Sequence, residues 1–159
     1  GDQYGITTDF YLEAECADTV GASWGIASDG AASNNEYIVW NGANSNNSPP
    51  SNYIRFTINI TTAGIYEIYA RVDTDGSGSD DSFWVRVDGE SPVRFNGING
   101  ANNFLWEQVY DSDNGNQLQS YFFDEGIHTV DFLHRENGTK LDNIVAFPKN
   151  VAFPKNRTV

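Results

Sequence analysis

Two carboxylates one residue apart, Glu13 and Glu15 in Tyr11-Leu12-Glu13-Ala14-Glu15, are the first residues of the chain whose spacing implies chemistry. On a strand, side chains at i and i+2 leave the same face, so the two charges repel unless a cation lies between them or both face water. A hard ion such as calcium, with about six to eight oxygen ligands, suits the first arrangement, and an edge strand facing solvent gives the second. Further on, Asp73-Thr74-Asp75-Gly76-Ser77-Gly78 places oxygens at the first, third and fifth positions, and a glycine at the sixth, of a calcium-loop pattern. Its twelfth position is Trp84 instead of a bidentate glutamate, so the stretch reads as a solvated turn unless Asp80 or Asp81 folds back onto it.

Flat apolar side chains are the second source of chemistry. An exposed aromatic ring offers a flat stacking surface, and amide, hydroxyl and charged groups around it can hold a ligand by hydrogen bonds. Trp24 sits in Gly21-Ala22-Ser23-Trp24-Gly25, among small residues with no alternation, as on an exposed loop. Trp40 and Trp84 lie in alternating apolar runs that favour core filling, although Trp84 points opposite Phe83, Val85 and Val87. Trp106 fits either role. Catalytic patterns are weaker. A hydrolase needs two carboxylates roughly 5–9.5 Å apart, which 22 acidic residues do not exclude, but the paired-carboxylate strand motif of jelly-roll glycanases is missing. A lyase needs clustered Arg, Lys, His and Tyr, and the chain has only two His and nine basic residues. His128 and His134 match no zinc spacing, and neither a nucleophile elbow nor a phosphate loop occurs.

The elements that must position these groups are strands. In Tyr53–Ile60, Ile54, Phe56, Ile58 and Ile60 share a face opposite Arg55, Thr57 and Asn59; in Ile65–Val72, Tyr66, Ile68, Ala70 and Val72 oppose Glu67 and Arg71. With Thr62-Ala63-Gly64 between them, these two runs read as a hairpin. Tyr11–Cys16, Glu36–Trp40, Ser82–Asp88, Leu105–Tyr110, Gln117–Phe123, His128–Leu133 and Asn143–Phe147 give an expected total of eight or nine strands. No long run keeps a 3.6-residue period, so the fold class is all-β: a two-sheet antiparallel β-sandwich of jelly-roll type. Asn41–Asn52, with Pro49-Pro50, has no apolar rhythm and reads as a surface loop.

At 159 residues the chain suits one domain, expected over 1–147, with 148–159 a tail or linker in which Val145–Asn150 recurs unchanged as Val151–Asn156. A formal charge of −13 repels phosphate backbones and anionic lipid, which argues against nucleic-acid and membrane partners. Cys16 stands alone, so no intramolecular disulfide forms. The start at Gly1, without an initiator Met, is expected of a processed protein or of a module cut from a longer one.

Five stretches in order resemble carbohydrate-binding modules of families 6 and 35. These are Glu13-Ala14-Glu15 near the start, Asp80 to Gly89 and Trp106-Glu107-Gln108-Val109 in the middle, and Gly126 to Val130 followed by Arg135 to Ile144 near the end. The resemblance spans roughly Tyr11 to Phe147 and implies a galactose-binding-domain-like jelly roll. It further implies a structural calcium on Glu13, Glu15 and Asp142, completed by carbonyls near Ser33 or Asn34, and a glycan site on loops at one end. For that site it implies Trp24 and Trp106 as the aromatic platforms, with Asp81, Arg135, Glu136 and Lys140 as polar partners. Lys140 stands where such modules often carry an Asn.

The expectation is therefore a secreted, lectin-like, non-catalytic and monomeric module. It would bind a polysaccharide or oligosaccharide and tether a covalently linked polysaccharide-degrading enzyme to its substrate. A small jelly-roll lyase or hydrolase is the first alternative, and a cell-surface adhesion domain the second.

Overall fold

The computed structural model describes residues 11–100 and 102–156; the first ten residues of the expected module and the last three of the expected tail lie outside it. Among the described residues there is no α-helix, only strands and three short 3-10 turns. One sheet has five strands in the order β2 (Asp18–Val20), β5 (Tyr53–Ile60), β13 (Gly126–His134), β7 (Ser82–Val87) and β8 (Val93–Asn96). The other has seven. Its path runs β12 (Tyr121–Phe123), β6 (Gly64–Asp73), β14 (Lys140–Pro148), β4 (Glu36–Trp40) and β3 (Trp24–Ser28), with β1 (Leu12–Glu13) paired to β14 and β9 (Leu105–Gln108) to β6. A small ribbon of β10 (Tyr110–Asp111) and β11 (Gln117–Leu118) completes the strands. All pairings are antiparallel.

Alternation decides which side chains meet between the sheets. Ile54, Phe56, Ile58 and Ile60 from β5, Val130 and Phe132 from β13, and Phe83, Val85 and Val87 from β7 pack against Tyr66, Ile68, Ala70 and Val72 from β6 and Leu141, Ile144 and Ala146 from β14. The expected hairpin of β5 with β6 is not formed. β5 pairs with β13 and β2 in one sheet, while β6 pairs with β14, β9 and β12 in the other. The reason is that both apolar faces are needed on opposite sides of one core, which a flat hairpin cannot supply. Two further runs are shorter than expected. Leu105–Tyr110 breaks at Val109, whose N–H bonds Ile68 O at 2.8 Å, and Gln117–Phe123 divides into β11 and β12. Asp18–Val20, Trp24–Ser28 and Val93–Asn96 are strands that short or polar sequence concealed.

Register also fixes which loops meet. Tyr53 pairs with Leu133, Ser82 with Asn96, Asp73 with Lys140, Trp24 with Trp40 and Val72 with Leu105. Hence the segments 21–23, 41–52, 74–81, 97–100, 102–104 and 135–139 gather at one rim. As expected, 41–52 has no regular structure, yet it is anchored: Ser45 N donates to Arg135 O at 2.7 Å, and Ser45 O accepts from Trp84 Nε1 at 2.9 Å. This strap explains how Trp84, on the outer face of the five-stranded sheet, is only 5% exposed.

On that outer face the register sets Arg55, Asp131 and Arg86 side by side across β5, β13 and β7. Asp131 is fully buried between the two guanidinium groups, at 2.7 Å from Arg55 Nε and 2.9 Å from Arg86 Nε, and both arginines lie over the Tyr53 ring. A central strand thus carries a charge that its two neighbours neutralise. Asp131→Ala removes the shared acceptor and is expected to lower the unfolding free energy by about 2 kcal/mol, measured by urea denaturation. A change within roughly 0.5 kcal/mol would show that the row contributes nothing to folding.

Candidate functional site

Glu13 ends β1 opposite Asn143 of β14. The chain then closes a 3-10 turn, Ala14–Cys16, with Ala14 fully buried in the core and its carbonyl accepting from Ala17 N at 3.1 Å. Glu15 is therefore not on a strand with Glu13, and the shared-face argument fails. The two carboxylates meet by another route, at the turn Ser33–Asn35, where Asn34 and Asn35 take left-handed φ of 54° and 58°. There Ser33 Oγ donates to Glu13 Oε1, and Asn34 Nδ2 donates to Glu15 Oε1 at 3.4 Å. Asp142 is fully buried where the β14 register shifts between Leu141 and Asn143, the kind of bulge that re-aims a side chain. It accepts from Ser33 N at 3.0 Å and from Arg71 Nη1 at 2.5 Å.

Glu13, Glu15, Ser33 and Asp142 are thus gathered around one turn, with Arg71 as an ion-pair partner that sequence reading missed. The second carboxylate oxygens, Glu13 Oε2 and Glu15 Oε2, are buried without a hydrogen-bond partner, and burial raises the pKa of both groups. Such oxygens are what a hard cation would satisfy, whereas Asp142 already has a counter-charge. Among the described residues no three His, Cys, Asp or Glu side chains form a ready-made cage.

At the loop rim, Trp24 opens β3 instead of riding a free loop. It is half-buried, meets Trp40 edge-on at 5.0 Å, and donates from Nε1 to Val20 O at 3.1 Å. Trp40, buried as expected, stacks on His134 at 3.6 Å and 3°. Ser45 Oγ and Asn52 Nδ2 bracket the two ring nitrogens of His134 at 3.5 and 3.3 Å. Burial pushes His134 down to about 4, so near neutral pH the imidazole is an uncharged plate. Trp24, Trp40 and His134 form one aromatic wall. Trp40 and His134 carry no sequence signal for this, because only the β3–β4 register and the end of β13 bring them together.

Polar groups occupy the adjoining loop from β13 to β14. Arg135 Nη1 donates to Ser82 Oγ at 2.9 Å and to Asn96 Oδ1 at 3.1 Å, and Glu136 accepts from Ser82 Oγ. Asp81 belongs to the same network. Its Oδ1 is buried without a partner, and burial and then a hydrogen bond to the neighbouring Glu136 push it up to about 6. Asp80 is also pushed up to about 6, first by burial. Lys140 stands apart, with Nζ 5.1 Å from the Tyr37 ring centroid and its backbone opposite Asp73.

Trp106 corrects the sequence reading. It is 4% exposed on the outer face of the seven-stranded sheet, packed with Tyr69, Val145 and Phe147 beneath Phe153 of the duplicated segment. Its ring is sealed by the residues expected to be a linker, so it offers no platform in this structure.

No protein-family model and no curated protein matches the chain. Solved structures do. A family 35 carbohydrate-binding module from Clostridium thermocellum superposes with a TM-score of 0.65 at 22% identity, covering 86% of this chain and 97% of its own. This chain has the fold of a family 35 module. The same jelly roll is matched within a Podospora anserina GH26-CBM35 β-(1,4)-mannanase (TM-score 0.67, 16% identity, 91% of this chain) and a Phanerochaete chrysosporium exo-β-1,3-galactanase (TM-score 0.62, 17% identity, 86% of this chain). This chain spans 28% of each of those two enzymes.

The buried imidazole gives the fold a pH signature. Between about pH 6.5 and 4 the unfolded chain binds a proton at residue 134 that the folded chain refuses, so stability falls as pH falls through that window. Asp80 and Asp81, raised to about 6, act with the opposite sign: their burden is relieved as pH falls. Comparison with His134→Phe isolates the histidine. From pH 7 to 4.5 the wild type is expected to lose about 2 kcal/mol more than the variant in urea titrations, and equal losses would refute the neutral-plate reading.

Proposed function

We propose that this protein is a non-catalytic carbohydrate-binding module that holds a polysaccharide for an attached glycan-degrading enzyme. The observation that carries the reading is the half-buried indole of Trp24, backed by the buried Trp40–His134 stack, beside the hydrogen-bonding network of Asp81, Arg135 and Glu136, on one rim of a fold shared with family 35 modules. The uncovered part of a half-buried indole can stack on a sugar's C–H face, and neighbouring carboxylates and a guanidinium can serve its hydroxyls. Lys140, with its amine over the Tyr37 ring, is not part of that network. Each contact is weak, and the gain comes from local concentration when a catalytic domain shares the chain. The similar folds within a mannanase and a galactanase support that arrangement.

Calcium, in this reading, is held by Glu13, Glu15, Ser33 and Asp142. When bound it supplies a positive centre for buried carboxylates and ties the first strand to the Ser33 turn and the last strand. Secretion and a monomeric state belong to the same proposal. The rim carboxyls Asp81 and Glu136 hydrogen-bond each other, closer than the roughly 5–9.5 Å that glycosidases place between their catalytic carboxyls, so this pair does not suit hydrolysis.

Affinity electrophoresis in gels containing soluble mannan, xylan, galactan or β-glucan is expected to show retardation by at least one polymer, lost in Trp24→Ala, with no reducing ends released. Unretarded migration in every gel would remove the carbohydrate reading, and released ends would restore the enzyme. In a separate thermal melt, chelator is expected to lower the melting temperature by about 5 °C or more while leaving retardation largely intact. An unchanged melt would remove calcium.

A further inference from the structure

At the end of the sandwich opposite the loop rim, a cleft of about 350 Å³ opens between β7–β8 and the segment leading into β12. That volume lies at the lower end of the roughly 300–1,000 Å³ typical of small-ligand sites. Val87 and Phe123, both buried, form its floor, with half-buried Val93 and Tyr121 above them. Phe122, 66% exposed, adds an apolar lip, and Glu90, Ser91 and Gln119 stand at the mouth.

Both walls are fixed before any ligand arrives. The turn after β7 has left-handed Asp88 (φ 51°) and Gly89 (φ 73°). Asp88 is pinned by Thr129 N at 2.9 Å and by His128 Nδ1 at 2.7 Å, while His128 Nε2 reaches Asp124 O at 2.8 Å. On the other wall, Gln119 N donates to Val109 O at 3.0 Å and Gln119 O accepts from Gln108 Nε2 at 3.3 Å, while Tyr121 to Phe123 pair with β6. A preformed cleft loses little ordering entropy on binding.

The lining restricts the ligand. Among the described residues no Lys, Arg or His lines the cleft, and Asp88 and Glu90 do, in a chain of net charge −13, so anions are repelled. Aromatic and aliphatic surface flanked by carboxylate, amide and hydroxyl groups matches a molecule with apolar faces and many hydroxyl donors. We infer that this cleft is a second carbohydrate site, for a neutral saccharide unit. The inference rests on the proposed role as a glycan binder, and it makes the protein bivalent. Val87 lies five residues along β7 from Ser82 of the rim network, so the two sites are separated by roughly 17 Å of rigid strand and face opposite ends.

The test is isothermal titration of the whole chain with neutral β-linked hexasaccharides of glucose, mannose and xylose. For at least one of them, about two equivalents are expected for the wild type, about one for Trp24→Ala, about one for Ser91→Trp, which fills the cleft from an exposed turn position, and none for the double variant. Ser120→Trp, from the facing wall, replaces Ser91→Trp if that variant does not fold. One equivalent, lost in Trp24→Ala and untouched by either cleft variant, overturns the inference and leaves the rim site standing. No binding by any probe overturns both. Dimerisation seen by sedimentation velocity and abolished by Ser91→Trp would assign the cleft to a second copy of the chain, which also overturns it.

Discussion

The rest of the molecule depends on the apolar contact between β13 and β14. These consecutive strands lie inside different sheets, so the segment joining them crosses from one layer to the other and must sit on the rim. Phe132 of β13 and Leu141, Ile144 and Ala146 of β14 belong to the same core, and they fix the heights at which Arg135, Glu136 and Lys140 emerge. Burial of this kind contributes on the order of 25 cal/mol per Å² of apolar surface and has no direction of its own. Direction comes from register. β13 is bracketed by β5 and β7 and β14 by β6 and β4; a slip of one residue would turn Val130 and Phe132 of β13 outward and exchange the two buried faces of β14.

Much of this was legible in the sequence because alternation is a local signal. The runs at 53–60 and 82–87 announced both their strands and their inward residues, and the Pro49-Pro50 segment announced a loop. The partner of a strand is not a local property. Tyr53–Ile60 and Ile65–Val72 read as a hairpin because they are adjacent in sequence and both alternate, and nothing in either run says that each belongs to a different sheet. Likewise the Trp24 strand was hidden by Gly and Ser neighbours that pack poorly in isolation but pair well against Glu36–Trp40.

Of the site residues, Glu13, Glu15, Ser33 and Asp142 do come together, and so do Asp81, Arg135 and Glu136. The route differed for the first group. Glu15 reaches the Ser33 turn because a 3-10 turn carries it there, not because it shares a strand face with Glu13. Trp106 was misplaced for a physical reason: its exposure depends on a covering residue 47 positions later, Phe153, which sequence reading took for linker. Arg71 and His134 were silent, since an arginine or histidine in an alternating run looks the same whether it faces water or a buried carboxylate or an indole.

The docking of Phe153 also governs the path beyond β14. Phe153 stacks on Tyr69 at 4.1 Å and 16° and meets Phe147 at 5.2 Å, so the chain after β14 doubles back onto the flank of the sandwich. The packing of Phe153, and not the direction of β14, therefore sets the course of residues 149–153 across the outer face of the seven-stranded sheet.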